Sequence, residues 1–289
     1  AGLTAGSTNG PGGTPGGQLN LMDEAQLRKF TDKQISYLSV GQIQVLSTQT
    51  IRALSDTQIA GFSSTQIDTL SSAQLNAMES GDLKSLTKKQ IGALDKDNHI
   101  ALLTDEQAQQ LTNDQMEWLS AEQAEKLSLN TISALSGTQL SHLSNNALKA
   151  LSGVQLKAID PQDFAVLTTK QIASLDITKV SELQISQMAE IQTAALKNEQ
   201  IALLSSAQLK AIRSQKETSP SDPTMIAANL QALTTRQIRA LDPDQIKLLD
   251  AVQISRLTPD QIGAISGDQA VELTSDQVYS LTDLQVVKL

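Results

Sequence analysis

Few side chains in this sequence are of the kinds that carry out chemistry. There are two histidines, His99 and His142, and no cysteine, so disulfides and thiolate sites are excluded. His99 stands where most of the chain repeats a glutamine, which points to a capping or surface role rather than to a general base. His142 precedes Leu143 at a position usually held by alanine and reads as a packed or surface residue. A zinc site would need both histidines plus carboxylates, and no suitable spacing is present. The stretch "DKDN", Asp95 to Asn98, has the carboxylate density of a calcium loop but lacks the turn glycine and bidentate glutamate of an EF-hand. Serines are numerous, yet none sits in a G-x-S-x-G elbow, and no glycine-rich phosphate loop follows a strand. The expectation is therefore no catalytic residue, no metal and no cofactor.

What the sequence does contain is a repeat, and it must position whatever the protein uses. Leu257, Ile265, Leu273, Leu281 and Leu289 are each eight residues apart, and Gln261, Gln269, Gln277 and Gln285 keep the same step. In register one unit reads L-[S/T/D]-x-x-Q-[I/V/L]-x-A, as in Leu54 to Gly61. The leading apolar position runs from Met22 to Leu94, shifts by one residue near Asp95–Asn98, and resumes at Leu103 as far as Leu175. Phasing weakens between Leu183 and Leu196, returns at Leu204 and Ile212, breaks at "RSQKETSPSDPT" (Arg213 to Thr224), and holds from Met225 onward. About thirty units are implied.

Each unit carries a helix start. Ser or Thr followed three residues later by Gln is a capping box, and the apolar residues on either side form a hydrophobic staple. Ser55/Gln58, Ser63/Gln66, Thr234/Gln237 and Thr282/Gln285 fit, and Asp replaces the hydroxyl at Asp160, Asp242 and Asp250. The three prolines of the array, Pro161, Pro243 and Pro259, each follow a cap, at the first helical position where a missing N–H costs nothing. Acids fall early in the unit (Asp56, Asp244, Asp260) and bases late (Arg52, Lys157, Lys247), as the helix dipole favours.

The predicted fold is all-α: a solenoid of very short capped helices, one of roughly seven residues per unit, each packed mainly on its neighbours. A continuous helix would smear the apolar stripe by about 80° per unit. A β-solenoid would need apolar spacing of two rather than alternating three and five. Residues 1–21 are glycine-rich and predicted to be a flexible arm. Solenoid follows over 22–212, a Pro/Ser/Thr loop over 213–224, and a continuation of the same solenoid over 225–289. Only 2% of residues are aromatic, which suits a long thin core.

Net charge of −9 argues against nucleic-acid binding, which needs clustered Lys and Arg. No run is long and apolar enough to insert in a membrane. The phrases "LTTKQIASLD" and "LTTRQIRALD" resemble tandem octapeptide arrays of large bacterial exported and surface proteins described as adhesin-like. That resemblance implies an extracellular or cell-surface location and carries no catalytic residue with it. The chain begins at Ala1 rather than Met, which suggests a processed or excised form, and it stops at "VVKL" without a polar capping unit. An uncapped end is expected either to continue in a longer protein or to stack on another copy. The expected function is a non-enzymatic fibre subunit that associates head to tail, with Leu27, Phe30, Val278, Leu281, Val286 and Leu289 as its self-assembly residues. The alternative is a secreted scaffold that binds a host or surface protein.

Overall fold

A computed structural model describes residues 28–95, Asp97, 99–212 and 228–289. Among these residues every regular element is helical. The chain divides into two compact units, one ending at Ala134 and the other spanning Leu135–Leu289. The arm, the loop predicted over 213–224 and the start of the following array lie outside the described residues.

The caps stand where the spacing put them. Ser55, Ser63, Thr258 and Thr282 are N-caps in extended conformation, each with a complete capping box. Asp242 caps Pro243–Leu248. All three array prolines occupy the first helical turn. The helices themselves are shorter than seven residues: each α-helix is four to six residues long, and Asp82–Ser85, Ile100–Leu102 and Ile177–Lys179 are 3-10 turns. The shortening has a cause. The leading apolar residue and the cap after it both leave the helical region, as at Leu119 (φ −61°, ψ 128°) and Ser120 (φ −72°, ψ 164°). Two extended residues per unit turn the chain through a corner.

Packing also departs from the expectation of nearest neighbours. In the first unit Asp32–Ser36 lies on Asp56–Ala60, and Thr48–Arg52 on Ser72–Ala77. In the second, Glu182–Ser186 lies on Ser206–Ala211, and Ala251–Arg256 on Ser275–Tyr279. Each helix thus stacks on the third one along, so three octapeptides make one turn. The leading residue and the apolar residue after the glutamine fill the interior: Leu54, Ile59, Leu86, Ile91, Leu241 and Ile246 are all buried. Such burial stabilises by roughly 1.5–3 kcal/mol per side chain, which is what lets helices far too short to survive alone persist here.

Phase slips are absorbed within single units. From Leu175 the next leading residue is Val180, buried, so one unit has shrunk around the 3-10 turn Ile177–Lys179. Leu183, which a strict eight-residue count from Leu175 would put in the core, is 61% exposed. After Ile212 the next leading residue with a described position is Leu233, also buried.

Candidate functional site

The most regular chemical feature of the molecule is its glutamine column. Gln58, Gln66, Gln90, Gln115, Gln171, Gln208, Gln237, Gln261 and Gln285 are all buried, although glutamine is ordinarily a surface residue. Both ends of the amide are used. At Gln115, Oε1 accepts the Thr112 N–H (3.0 Å), while Nε2 donates to the carbonyls of Leu83 (2.6 Å) and Leu86 (3.0 Å) in the turn below. The same pattern joins Gln66 to Ile35 and Leu38, Gln74 to Ile43 and Leu46, and Gln123 to Ile91 and Leu94. In the second unit it joins Gln171 to Leu140 and Leu143, Gln261 to Leu230 and Leu233, and Gln277 to Ile246 and Leu249.

The sequence points to the capping half of this arrangement and not to the inter-turn half. The acceptor is a main-chain carbonyl 25 to 32 residues away in the turns quoted, and a carbonyl leaves no mark in residue type. The repeat of Gln itself was the available signal, because Glu would cap as well but could not donate. The glutamine also works without the hydroxyl. At Ala189 and Lys197, which lack a capping hydroxyl, Gln192 and Gln200 still accept the cap N–H (both 2.8 Å) and still reach Leu167 and Leu175. The ladder continues past the undescribed segment: Gln237 donates to Leu196 (2.6 Å), 41 residues back rather than 28.

Substitutions in the column show what the position demands. His99 works as a glutamine: Nδ1 accepts the Asp95 N–H (2.9 Å) and Nε2 meets the Leu70 carbonyl (2.7 Å). The tautomer that satisfies both carries its proton on Nε2. Both ring nitrogens are then occupied, leaving neither for a metal or a substrate. Asp95 and Asp97, the carboxylates of the "DKDN" stretch, are likewise engaged. Asp97 pairs with Lys126 (3.1 Å), and Asp95 accepts the Asp97 N–H (3.1 Å). Lys96 and Asn98 lie outside the described residues. His142 is an exposed residue at the end of Gly137–His142. Thr131 donates to Leu103 (3.3 Å), and Asp163 accepts from Gly137 (2.7 Å). Asp82, the one carboxylate buried in the column among the described residues, has its pKa pushed up to about 7 by burial, with Asp56 adding to the shift.

The second unit carries an open groove of about 560 Å³ beside the shortened turn, lined by Lys157, Thr178, Glu182, Leu183, Leu203 and Ser205 among others. Its serines are N-caps: Ser181 and Ser205 accept the N–H groups of Gln184 and Gln208. Lys157 and Glu182 are its titratable side chains, and Leu183 and Leu203 are exposed. This is chemistry for contact, without a nucleophile and base held together.

Of the residues predicted to mediate self-assembly, Leu27 lies outside the described residues. Phe30 is half-buried, and its carbonyl accepts from Gln58 (2.7 Å). Val278, Val286 and Leu289 are exposed and Leu281 is half-buried, all in the last turn of the second unit.

No protein family matches the sequence, and no curated protein matches it. Among the described residues no helix is long and apolar enough to cross a membrane.

Proposed function

We propose that this chain is a non-enzymatic structural protein of the bacterial surface, a subunit of an extracellular fibre that grows by stacking copies end to end. The observation that carries this reading is that successive turns are joined by the same bonds. The carbonyls of Leu241, Leu249 and Leu257 take the Nε2 groups of Gln269, Gln277 and Gln285 from the turn above. A turn of the same repeat supplied by a second copy of the chain would bring the same donors and acceptors, and a contact of this kind at Val278, Val286 and Leu289, which are exposed, would cover them. A heterologous contact that repeats without closing gives a filament. The resemblance of the octapeptide to adhesin-like arrays supports the surface location.

Light scattering over a concentration series, with negative-stain microscopy, tests the reading. Thin filaments or concentration-dependent growth are expected. A chain that stays monomeric at high concentration would refute it. The second reading, a secreted protein-binding scaffold, then gains from the groove beside the shortened turn, where Leu183 and Leu203 lie exposed between Lys157 and Glu182.

A further inference from the structure

The first unit holds one interruption of the glutamine column that capping does not explain. Asp82 is 3% exposed and stands in the unit Met78–Ser85 where the repeat would place Gln. Its Oδ2 accepts the Glu79 N–H (2.9 Å), which reproduces the capping half of the pattern. For the inter-turn half an ionised carboxylate has nothing to donate. Instead the side chain is set against Asp56, the first residue of Asp56–Ala60, the helix on which this turn is stacked.

Two carboxyl groups can share a hydrogen bond only if one of them carries a proton. We propose that Asp56 and Asp82 form a proton-operated joint, in which one shared proton ties the turn Asp82–Ser85 to the helix Asp56–Ala60 and loss of that proton loosens the contact. The surroundings favour retention of the proton. Burial is the leading cause of the raised Asp82 pKa, followed by the Asp56 hydrogen bond; the Glu79 N–H opposes it, and the charges of Asp56 and Glu79 add to it. The other charged groups on the elements packed here are Lys84 on the same turn, which is exposed, and Asp105 and Glu106 at the start of Asp105–Gln110, which also packs on the turn. Among the described residues no cation pairs with Asp56 or Asp82 in the way Lys126 pairs with Asp97.

The direction of the pH dependence follows from linkage. Asp82 in the folded chain titrates near 7, against 3.8 for the ordinary group. The folded state therefore holds a proton that the opened state gives up. The tie is fully present below the ordinary value, weakens as pH rises from there, and is lost as pH passes about 7.

Hydrogen exchange of the full chain, read by mass spectrometry and corrected for intrinsic exchange, tests the joint. The reporters are the amides of Lys84 and Leu86, which donate to Gly81 and Leu83. Their protection should fall by up to about tenfold per pH unit between pH 5 and 7 and then level off. Peptides from the second unit should keep constant protection. In Asp82→Asn, whose amide donates at every pH, the reporters should lose the slope. Should that variant misfold, Asp56→Asn serves instead: with the second carboxylate gone, the slope should end at a lower pH. Flat protection in the native chain would overturn the proposal, and so would an unchanged slope in either folded variant.

Discussion

Replacing Gln115 by Met keeps the length and most of the volume of the side chain while removing its amide. Gln115 is 1% exposed. The change strips a partner from three main-chain groups: the Thr112 N–H and the carbonyls of Leu83 and Leu86. These losses are unequal. The Leu83 carbonyl still accepts the Leu86 N–H, so it keeps one bond. The Thr112 N–H and the Leu86 carbonyl are left without a protein partner. A buried main-chain group left unsatisfied costs about 1–3 kcal/mol. Two such groups give a loss of about 2–6 kcal/mol, less whatever burial the methionine sulfur and methyl regain. Removing only the capping hydroxyl, by Thr112→Ala, should cost about 0.5–2 kcal/mol. Gln49→Met, at an exposed position in Thr48–Arg52, should be close to neutral. Urea unfolding followed by circular dichroism at 222 nm would compare the three. Because repeat proteins can unfold in parts, hydrogen exchange at Leu86 and Thr112 should accompany it. If Gln115→Met costs no more than Thr112→Ala, the inter-turn bonds contribute nothing and the ladder is only a set of caps.

The remaining predictions concern close approach, core and column. Gly61→Ala should destabilise by about 1–3 kcal/mol, because a Cβ there would meet the Asp32 carbonyl at 2.6 Å. Gly92→Ala, in a helix with nothing within 4 Å of the new atom, should instead stabilise by about 0.5–1 kcal/mol. The opposite sign for the pair, measured by thermal unfolding, would mean that the stacked turns do not approach as described. Leu257→Ala, at a side chain 2% exposed, should cost about 2–5 kcal/mol, and Thr258→Ala about 0.5–2 kcal/mol. Equal small losses in denaturant titrations would place the leading column at the surface. His99→Ala orphans the Asp95 N–H and the Leu70 carbonyl and should cost about 1–3 kcal/mol for each. His99→Gln should recover most of that loss, and equal melting temperatures for the two variants would refute the capping role of the imidazole.

What the sequence discloses and what it hides divide along a physical line. Caps, staples and proline positions involve residues within five of one another, so their chemistry is written in adjacent letters. Ser55, Asp242, Thr258 and Pro259 all stand where the spacing puts them. The three-unit turn, by contrast, is a property of the angles at the extended corner residues, which residue type constrains only loosely. The helices stop at four to six residues for the same reason. The phase slip after Leu175 was visible only as weakened periodicity, because Val180 and Leu183 are both apolar. Their places differ through the 3-10 turn between them and the leading residue.

The eight-residue period, the scarcity of aromatics and the buried glutamines have one explanation. A helix of four to six residues has too few internal bonds to satisfy its own ends, since its first N–H and last C=O groups are most of what it has. Hydroxyl caps answer for the N-terminal groups alone. The carbonyls left at each corner need a donor from outside the helix, and with three corners per turn the nearest outside donor is one turn above. A side chain there must accept from its own cap and donate downward at once. Asparagine and aspartate are a methylene shorter, glutamate cannot donate when ionised, and glutamine does both. Burial of the amide is then a consequence of its position between turns, and the space inside each turn is left for one leading residue and one aliphatic side chain per helix. Leucine and isoleucine fill that space, and a ring at every unit would force the turns apart. Phe62 and Phe164 are buried singly, each next to a departure from the pattern: Gly61, against the Asp32 backbone, and Asp163, in place of glutamine.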